Sequence, residues 1–228
     1  MKTNTVASQR QAAKVAGALY LALFVLAIVA NFVIVGTLID PLDPDATALA
    51  ISTNEQLFRF GLIGFIVIAI VDVVIAWALH GYFAHHNESL SRLAAWLRLV
   101  YSVLLGVGVV FMQLALKPAL AGNSEQMALL LDGFQTSWQL GLIFFGLHVL
   151  VLAALMIRSI GTSTWIGFTL IAAGLAYVVD SLLRVALIDY PAIAELMMPI
   201  VAIPAVIAEL AFTIWLIRTG WSKVAANN

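Results

Sequence analysis

Six apolar stretches, each of about 20 residues or more, constrain this chain more than any other feature, since about 20 mostly apolar residues span a bilayer. Backbone polar groups in lipid must be satisfied within the segment, and the period-two alternation of barrel strands is absent, so each stretch is predicted to be a helix. The predicted spans are residues 14–39, 57–83, 93–117, 134–157, 164–188 and 197–218. The sequence therefore predicts an all-α polytopic membrane protein, a single six-helix domain over residues 1–228.

Composition excludes several other classes of protein. Hydrophobic residues make up 63% of the 228 residues and charged residues 10%, whereas a soluble domain has roughly a quarter of its residues charged. The net charge is −1 and no basic face exists, which argues against nucleic-acid binding. With no cysteine, the chain has no disulfide, thiol nucleophile or thiolate metal site. The lipid bilayer is the predicted partner.

Loop charges predict the orientation of the spans, because cytoplasmic loops are enriched in Lys and Arg. The basic residues on one side are Lys2, Arg10, Lys14, Arg92, Arg158, Arg218 and Lys223, with Glu88 as the loop acid there. The acidic residues on the other side are Asp40, Asp43, Asp45, Glu55, Glu125, Asp132, Asp189 and Glu195. Both termini are therefore predicted to be cytoplasmic. The first stretch is too long for the apolar region of a signal peptide, and we interpret it as an uncleaved signal anchor.

The loop after the first span, IDPLDPDATALAISTNEQLF, has prolines that end the helix. Asp45 is predicted to cap a short interfacial helix, and Ser52-x-x-Glu55 has the pattern of a capping box that begins the second span. The aspartates Asp40, Asp43 and Asp45 resemble a calcium site, but the glycine and distal glutamate of an EF-hand loop are missing. A solvated acidic loop is the preferred interpretation.

Ionisable residues at hydrocarbon depth are functional candidates by default. They are Asp72, Arg98, His148, Asp180, Arg184 and Glu209. At a rise of about 1.5 Å per residue, Asp72 and Arg98 come to similar depths on adjacent antiparallel helices, so they are predicted to pair. Asp180 and Arg184 share one helix face, as residues four apart do. These residues form the predicted polar interior.

Glu209 differs from the others because no basic residue lies nearby on its own helix. Pro199 and Pro204 precede it and are predicted to kink that helix. A kinked helix with a midplane carboxylate is typical of a proton or cation pathway. A protonated, hydrogen-bonded glutamate is the alternative. His148 lies on a stripe with Gly141 and Phe145 that is predicted to face the bundle, either as a hydrogen-bonded core histidine or as a titrating group.

The histidines His80, His85 and His86 form the densest histidine group, which with His148 or a carboxylate would imitate a zinc site. No HExxH motif, nucleophile elbow or phosphate-binding glycine loop occurs, so a structural role is preferred. The sequence accordingly assigns no catalytic residue, cofactor or metal.

The six spans also allow a division into two inverted halves of three. Residues 60–79 (FGLIGFIVIAIVDVVIAWAL) are similar to residues 168–187 (FTLIAAGLAYVVDSLLRVAL), with Asp72 and Asp180 at equivalent positions. An inverted repeat of this kind places a pseudo-two-fold axis in the membrane plane, as in many transporters.

Several blocks carry a resemblance to a known family. They are LFRFG (57–61), WLRLVYS (96–102), GLIFFGLHVLVL (141–152), GLAYVVDSLL (174–183) and AEL (208–210). Together with the Asp72 helix they resemble a bacterial multi-pass membrane family, domain of unknown function family 4386. The resemblance implies a compact six-helix fold in the bacterial cytoplasmic membrane, with Arg98, His148, Asp180 and Glu209 as shared polar positions. Ala208 and His80 depart from it, since Gly and Tyr are expected there. It implies no activity.

Three functions are open on these observations. A small-molecule or proton/ion-linked transporter, or a ligand-binding protein, would use the polar interior with Glu209 and His148 as titrating groups. A membrane-embedded lipid-modifying enzyme would need His148 and a carboxylate within hydrogen-bond reach. A structural or regulatory bundle would bind a partner protein or lipid, and its charges would fix helix register.

Overall fold

A computed structural model describes residues 2–159 and 162–222 of the chain, with side chains from residue 8 onward. Within those ranges the secondary structure is helical throughout, with no strand. Six of the helices are long and apolar enough to cross a membrane: Ser8–Leu38, Glu55–Phe83, Glu88–Leu120, Ser124–Arg158, Thr164–Ala186 and Ala194–Trp221. The prediction of an all-α, six-span membrane protein is confirmed.

The first helix, α1, covers Lys2–Ile28, continues through π-helical turns over Val29–Val35 and ends with the turn Gly36–Leu38. Helix α2 is the short Pro44–Thr53. The remaining helices are α3 (Glu55–Phe83), α4 (Glu88–Leu120), α5 (Ser124–Arg158), α6 (Thr164–Ala186) and α7 (Ala194–Trp221). A 3₁₀ turn at Tyr190–Ala192 connects the last two. The π-helical segment was not predicted, because apolar pattern does not distinguish π from α turns over so short a length.

The start of α2 corrects two predictions. Asp43 is the N-cap and accepts a hydrogen bond of 2.8 Å from the Ala46 amide, with Pro44 at the first helical position. Asp45 lies inside the first turn, so it is not the cap. Ser52 belongs to the last turn of α2 and donates to the Leu49 carbonyl at 3.0 Å, so the predicted capping box with Glu55 does not form.

The described residues divide into two compact units. The first contains residues 2–21, 73–99, 142–159 and 162–222, and the second contains residues 22–72 and 100–141. This division does not separate the first three spans from the last three, because spans one to four each contribute to both units. The inverted repeat therefore stays a prediction.

Aromatic packing and close helix contacts organise the first unit. Its core includes the buried residues Tyr20, Phe83 and Phe212. The Phe83 and Phe212 rings both stack on Trp215, and the Tyr20 ring packs edge-on against Phe212. Helices α5 and α6 approach closely at Gly146 and Gly174, where an added Cβ at either glycine would lie 2.9 Å from the other's carbonyl oxygen. Small residues allow such approaches between membrane helices.

The second unit has its own aromatic core, in which the rings of Phe65 and Phe134 lie 5.1 Å apart at a steep angle. The Ser102 hydroxyl donates to the Ala69 carbonyl at 2.8 Å and joins α4 to α3. Helix α4 ends in a left-handed turn at Gly122, where φ is +70° and the Asn123 amide bonds to the Pro118 carbonyl at 2.9 Å. Large apolar residues with exposed side chains on the spans include Phe32, Ile70, Trp77, Trp96, Phe168 and Val185, as expected of a surface solvated by lipid.

Candidate functional site

The guanidinium of Arg98 is fully buried in the first unit, where α4 passes α1 and α5. Its Nη1 donates to the hydroxyl of Tyr20 on α1 and, at 3.2 Å, to Nε2 of His148 on α5. Arginine keeps its charge in proteins, and taking an ion out of water costs several kcal/mol unless polar partners surround it. The site therefore holds a permanent positive charge inside a membrane-spanning region.

Aromatic rings flank the same guanidinium. The carbon Cζ of Arg98 lies 4.7 Å from the centroid of the Tyr20 ring and 5.3 Å from that of Phe145. A cation over a ring face is attracted by the ring quadrupole, most strongly where water is excluded. Phe145 and His148 both reach Arg98 because residues three apart lie on one helix face.

The hydrogen bonds of His148 fix its protonation state. A guanidinium only donates, so Nε2 of His148 accepts from Arg98 and carries no proton. On the other side of the ring, Nδ1 lies 2.7 Å from the Ala94 carbonyl oxygen, which only accepts, so Nδ1 holds the proton. His148 is therefore a neutral imidazole whose two ring nitrogens are both engaged.

Glu209 lies near the middle of α7, facing Tyr177 of α6. The Tyr177 hydroxyl donates to the Glu209 carboxylate at 2.9 Å, and both residues are partly rather than fully buried. One turn further along, the Thr213 hydroxyl donates to the Glu209 backbone carbonyl at 2.7 Å. Pro199 and Pro204 lie within the uninterrupted helix on the approach to Glu209.

Phe145 contacts both the Arg98–His148 pair and the Tyr177–Glu209 pair. Its ring packs edge-on against the Tyr177 ring with the centroids 5.3 Å apart, while the same ring lies beside Arg98. A continuous series of contacts therefore leads from His148 and Arg98 through Phe145 and Tyr177 to Glu209. We call these five residues, with Tyr20, the α4–α7 polar cluster.

A separate cluster at the end of α6 contains Asp180 and Arg184. Arg184 Nε donates to one carboxylate oxygen of Asp180 at 3.0 Å, and the Tyr190 hydroxyl donates to the other. Arg184 also lies over the Tyr190 ring, with Cζ 4.3 Å from its centroid. Burial raises the pKa of Tyr190 to about 12, and the hydrogen bond to Asp180 acts in the same direction. The cluster ties the connection after α6 to its last turns.

Sequence reasoning missed the contribution of Tyr190 to this cluster. The residue follows the fifth predicted span directly, in the interfacial zone where tyrosine is common. Its interfacial position was a signal that Tyr190 could have a structural role. The sequence does not indicate, however, that the turn at Tyr190–Ala192 brings this hydroxyl back to Asp180.

Asp72 is buried in α3 and belongs to the second unit, whereas Arg98 belongs to the first. Their predicted pairing stays a prediction. The six candidate residues thus fall into three places: Arg98, His148 and Glu209 in the α4–α7 polar cluster, Asp180 and Arg184 at the end of α6, and Asp72 in the second unit.

His80 and the aspartates Asp40, Asp43 and Asp45 make local structural contacts. Nδ1 of His80 lies 2.9 Å from Ser91 Oγ, and the Ser91 hydroxyl donates to the His80 carbonyl, which closes the turn between α3 and α4. Asp40, Asp43 and Asp45 accept hydrogen bonds from the Leu42 amide, the Ala46 amide and the Ser124 hydroxyl. Within the described ranges, no three His, Cys, Asp or Glu side chains are grouped as a metal site would require.

These features define a multi-pass membrane protein with a buried, permanently charged cluster between its helices. The profile of the family described as "Domain of unknown function (DUF4386)" matches residues 15–220, so the chain belongs to that family. An uncharacterized protein of Archaeoglobus fulgidus is 28% identical over 125 residues, which is 55% of this chain and 67% of the relative. No solved structure matches the chain.

Proposed function

We propose that this protein carries a small solute or ion across the membrane together with protons, and that Glu209 binds and releases the proton. The observation that carries the proposal is the Tyr177–Glu209 hydrogen bond near the middle of α6 and α7, with a carboxylate that is only partly buried. Ionisable residues at that depth usually mark ion pathways or proton relays.

The fixed positive charge of Arg98 contributes to the electrostatic environment of Glu209. Arg98 cannot be deprotonated, so it acts as a constant positive charge two aromatic rings away from Glu209. His148 serves as a neutral acceptor for Arg98 in this arrangement, and the titrating role in the proposal rests on Glu209. The cluster has the composition expected of a site where proton binding changes the affinity for a charged or polar solute.

The lipid-modifying enzyme has less support. It requires a carboxylate within hydrogen-bond reach of His148, but the ring nitrogens of His148 are engaged by Arg98 and by the Ala94 carbonyl. A purely structural role fits the Asp180–Arg184–Tyr190 cluster better than the α4–α7 polar cluster, since the former links a helix end to its loop.

The proposed setting is the cytoplasmic membrane with both termini on the cytoplasmic side. The supporting observation is the segregation of loop charges, which follows the positive-inside rule in several separate loops.

Proteoliposomes with an imposed pH gradient test the proposal. Labelled amino acids, sugars, organic cations and inorganic cations are offered in turn to the wild type, Glu209→Gln and Glu195→Gln. Glu195 is an exposed glutamate in the first turn of the same helix and provides the matched control. We expect gradient-driven uptake of one class, abolished by Glu209→Gln and retained by Glu195→Gln. Uptake that Glu209→Gln leaves unchanged, or no gradient-driven uptake of any class, contradicts the proposal.

A further inference from the structure

A cavity of about 200 Å³ lies in the second unit, whereas the residues of the α4–α7 polar cluster belong to the first. The loop between α1 and α2 forms one wall, and the first turns of α5 form the other. The base is apolar and well packed, with Met127, Leu131 and Phe134 all buried. Four polar side chains line its walls: Asp40, Thr47, Asp132 and Gln135. An apolar base with a few polar groups is the usual make-up of a small-molecule site.

The loop wall is held in place by its own hydrogen bonds. The Asp40 amide donates to Thr47 Oγ1 at 2.8 Å, and the Thr47 hydroxyl donates back to the Asp40 carbonyl at 3.0 Å. Thr47 is 2% exposed, so the threonine side of this reciprocal pair is buried. The Ser124 hydroxyl donates to the Asp45 carboxylate and ties the same loop to the start of α5. The cavity is therefore built from a fixed loop and a fixed helix.

The charge of the cavity is negative. Its lining includes two carboxylates and no basic side chain. Asp40 uses Oδ1 to accept from the Leu42 amide at 2.9 Å. In the part of the chain that the structure describes, the exposed side chains of Asp132 and Gln135 make no hydrogen bond, so their oxygen atoms are available as acceptors at the cavity wall. Because the lining is negatively charged, a cation is the complementary ligand. Because the base is apolar, we expect this cation to carry an apolar carbon skeleton.

We propose that this cavity binds an ammonium-bearing organic cation whose apolar part has about the size of one ring. An apolar cavity of about 150 Å³ holds benzene, so about 200 Å³ accommodates a ring with a short aminoalkyl arm. The ring contacts Leu131 and Phe134, and the ammonium donates to Asp132, Asp40 and the Gln135 amide oxygen. This site is independent of the proposed role of Glu209.

The test uses the full-length protein in a neutral maltoside detergent, which contains no ammonium group. Benzylammonium and benzyl alcohol are titrated with ligand-observed NMR against the wild type, Asp132→Asn, Ala128→Trp and Glu125→Gln. Ala128 lines the cavity, so tryptophan there fills it, whereas Glu125 is an exposed acid of α5 that does not line it. We expect benzylammonium to bind at least about 10-fold more tightly than benzyl alcohol, and Asp132→Asn to weaken it by about the same factor. Ala128→Trp is expected to abolish binding, and Glu125→Gln to leave it unchanged.

A second arm identifies the source of the ammonium group. The titration is repeated after phosphatidylethanolamine is added to the micelles. Competition by this lipid indicates an ammonium headgroup as the occupant, and absence of competition indicates a free organic cation; both results support the site. Equal affinity for benzyl alcohol, no benzylammonium binding, or equal loss in Glu125→Gln and Asp132→Asn overturns it.

Discussion

Arg98 and His148 are both fully buried in the first unit, and their Nη1 and Nε2 atoms lie 3.2 Å apart. This contact requires an unprotonated Nε2, and the Ala94 carbonyl requires a protonated Nδ1. We therefore predict that ¹⁵N NMR of histidine-labelled protein shows His148 as the neutral Nδ1–H tautomer at neutral pH. An imidazolium signal for His148, identified by its loss in His148→Gln, would contradict the assignment.

Replacement of Arg98 is predicted to destabilise the fold strongly. Arg98→Ala leaves the Tyr20 hydroxyl and His148 without this donor and removes a large side chain that packs against two rings, so we expect a loss of about 3–5 kcal/mol. Arg92 is the matched control, because it lies on the same helix, is exposed and pairs with Glu88. Arg92→Ala is expected to cost less than about 1 kcal/mol. Unfolding in mixed micelles measures both, and equal effects would show that Arg98 makes no special contribution.

The contact of α5 with α6 predicts a clear difference between two glycine substitutions. A Cβ at Gly146 would lie 2.8 Å from Val178 and 2.9 Å from the Gly174 carbonyl, so Gly146→Ala should cost about 1–3 kcal/mol. At Gly106 of α4 no atom lies within 4 Å of an added Cβ. Gly106→Ala is expected to be neutral or to stabilise by up to about 1 kcal/mol, because alanine loses less backbone entropy in a helix. Unfolding curves that rank them the other way would contradict this packing.

Ionisation of Tyr190 is predicted to lower the stability of the protein at alkaline pH. Its pKa is about 12 in the folded protein against an ordinary value of 10.0, so the folded state retains the proton between those values. The stabilisation is therefore fully present below pH 10 and is lost as pH rises through about 12. We expect the difference in Tm between the wild type and Tyr190→Phe to shrink across that interval. A difference that stays constant with pH would exclude ionisation of Tyr190 as a factor.

The sequence predicts the spans well, because span length follows directly from bilayer thickness and apolar content. It predicts the Asp180–Arg184 contact for a similar reason, since residues four apart on a helix are neighbours whatever the rest of the fold does. It also identifies His148 as a core residue but not its partner, since the contact with Arg98 joins residues 50 positions apart. Contacts between residues so far apart depend on how the helices pack, and that packing cannot be read from the pattern of a single sequence.

The errors at α2 arise from local chemistry. Asp43 and Asp45 are both plausible caps in an Asp-Pro-Asp sequence, and the choice depends on which residue has extended backbone angles, as Asp43 does. Ser52 matches a capping pattern, yet α2 extends through it to Thr53. Such boundaries shift by one or two residues without a change in the apolar pattern.

The proposal that Glu209 exchanges a proton is tested most directly by pH-induced infrared difference spectroscopy of the protein in lipid nanodiscs. Spectra of the wild type, Glu209→Gln and Glu195→Gln are compared across neutral pH. We predict a carboxylic-acid carbonyl band whose intensity changes with pH, which is retained in Glu195→Gln and lost in Glu209→Gln. A wild-type protein with no such band, or a Glu209→Gln variant that keeps it, would contradict the assignment of Glu209 as the proton-binding group.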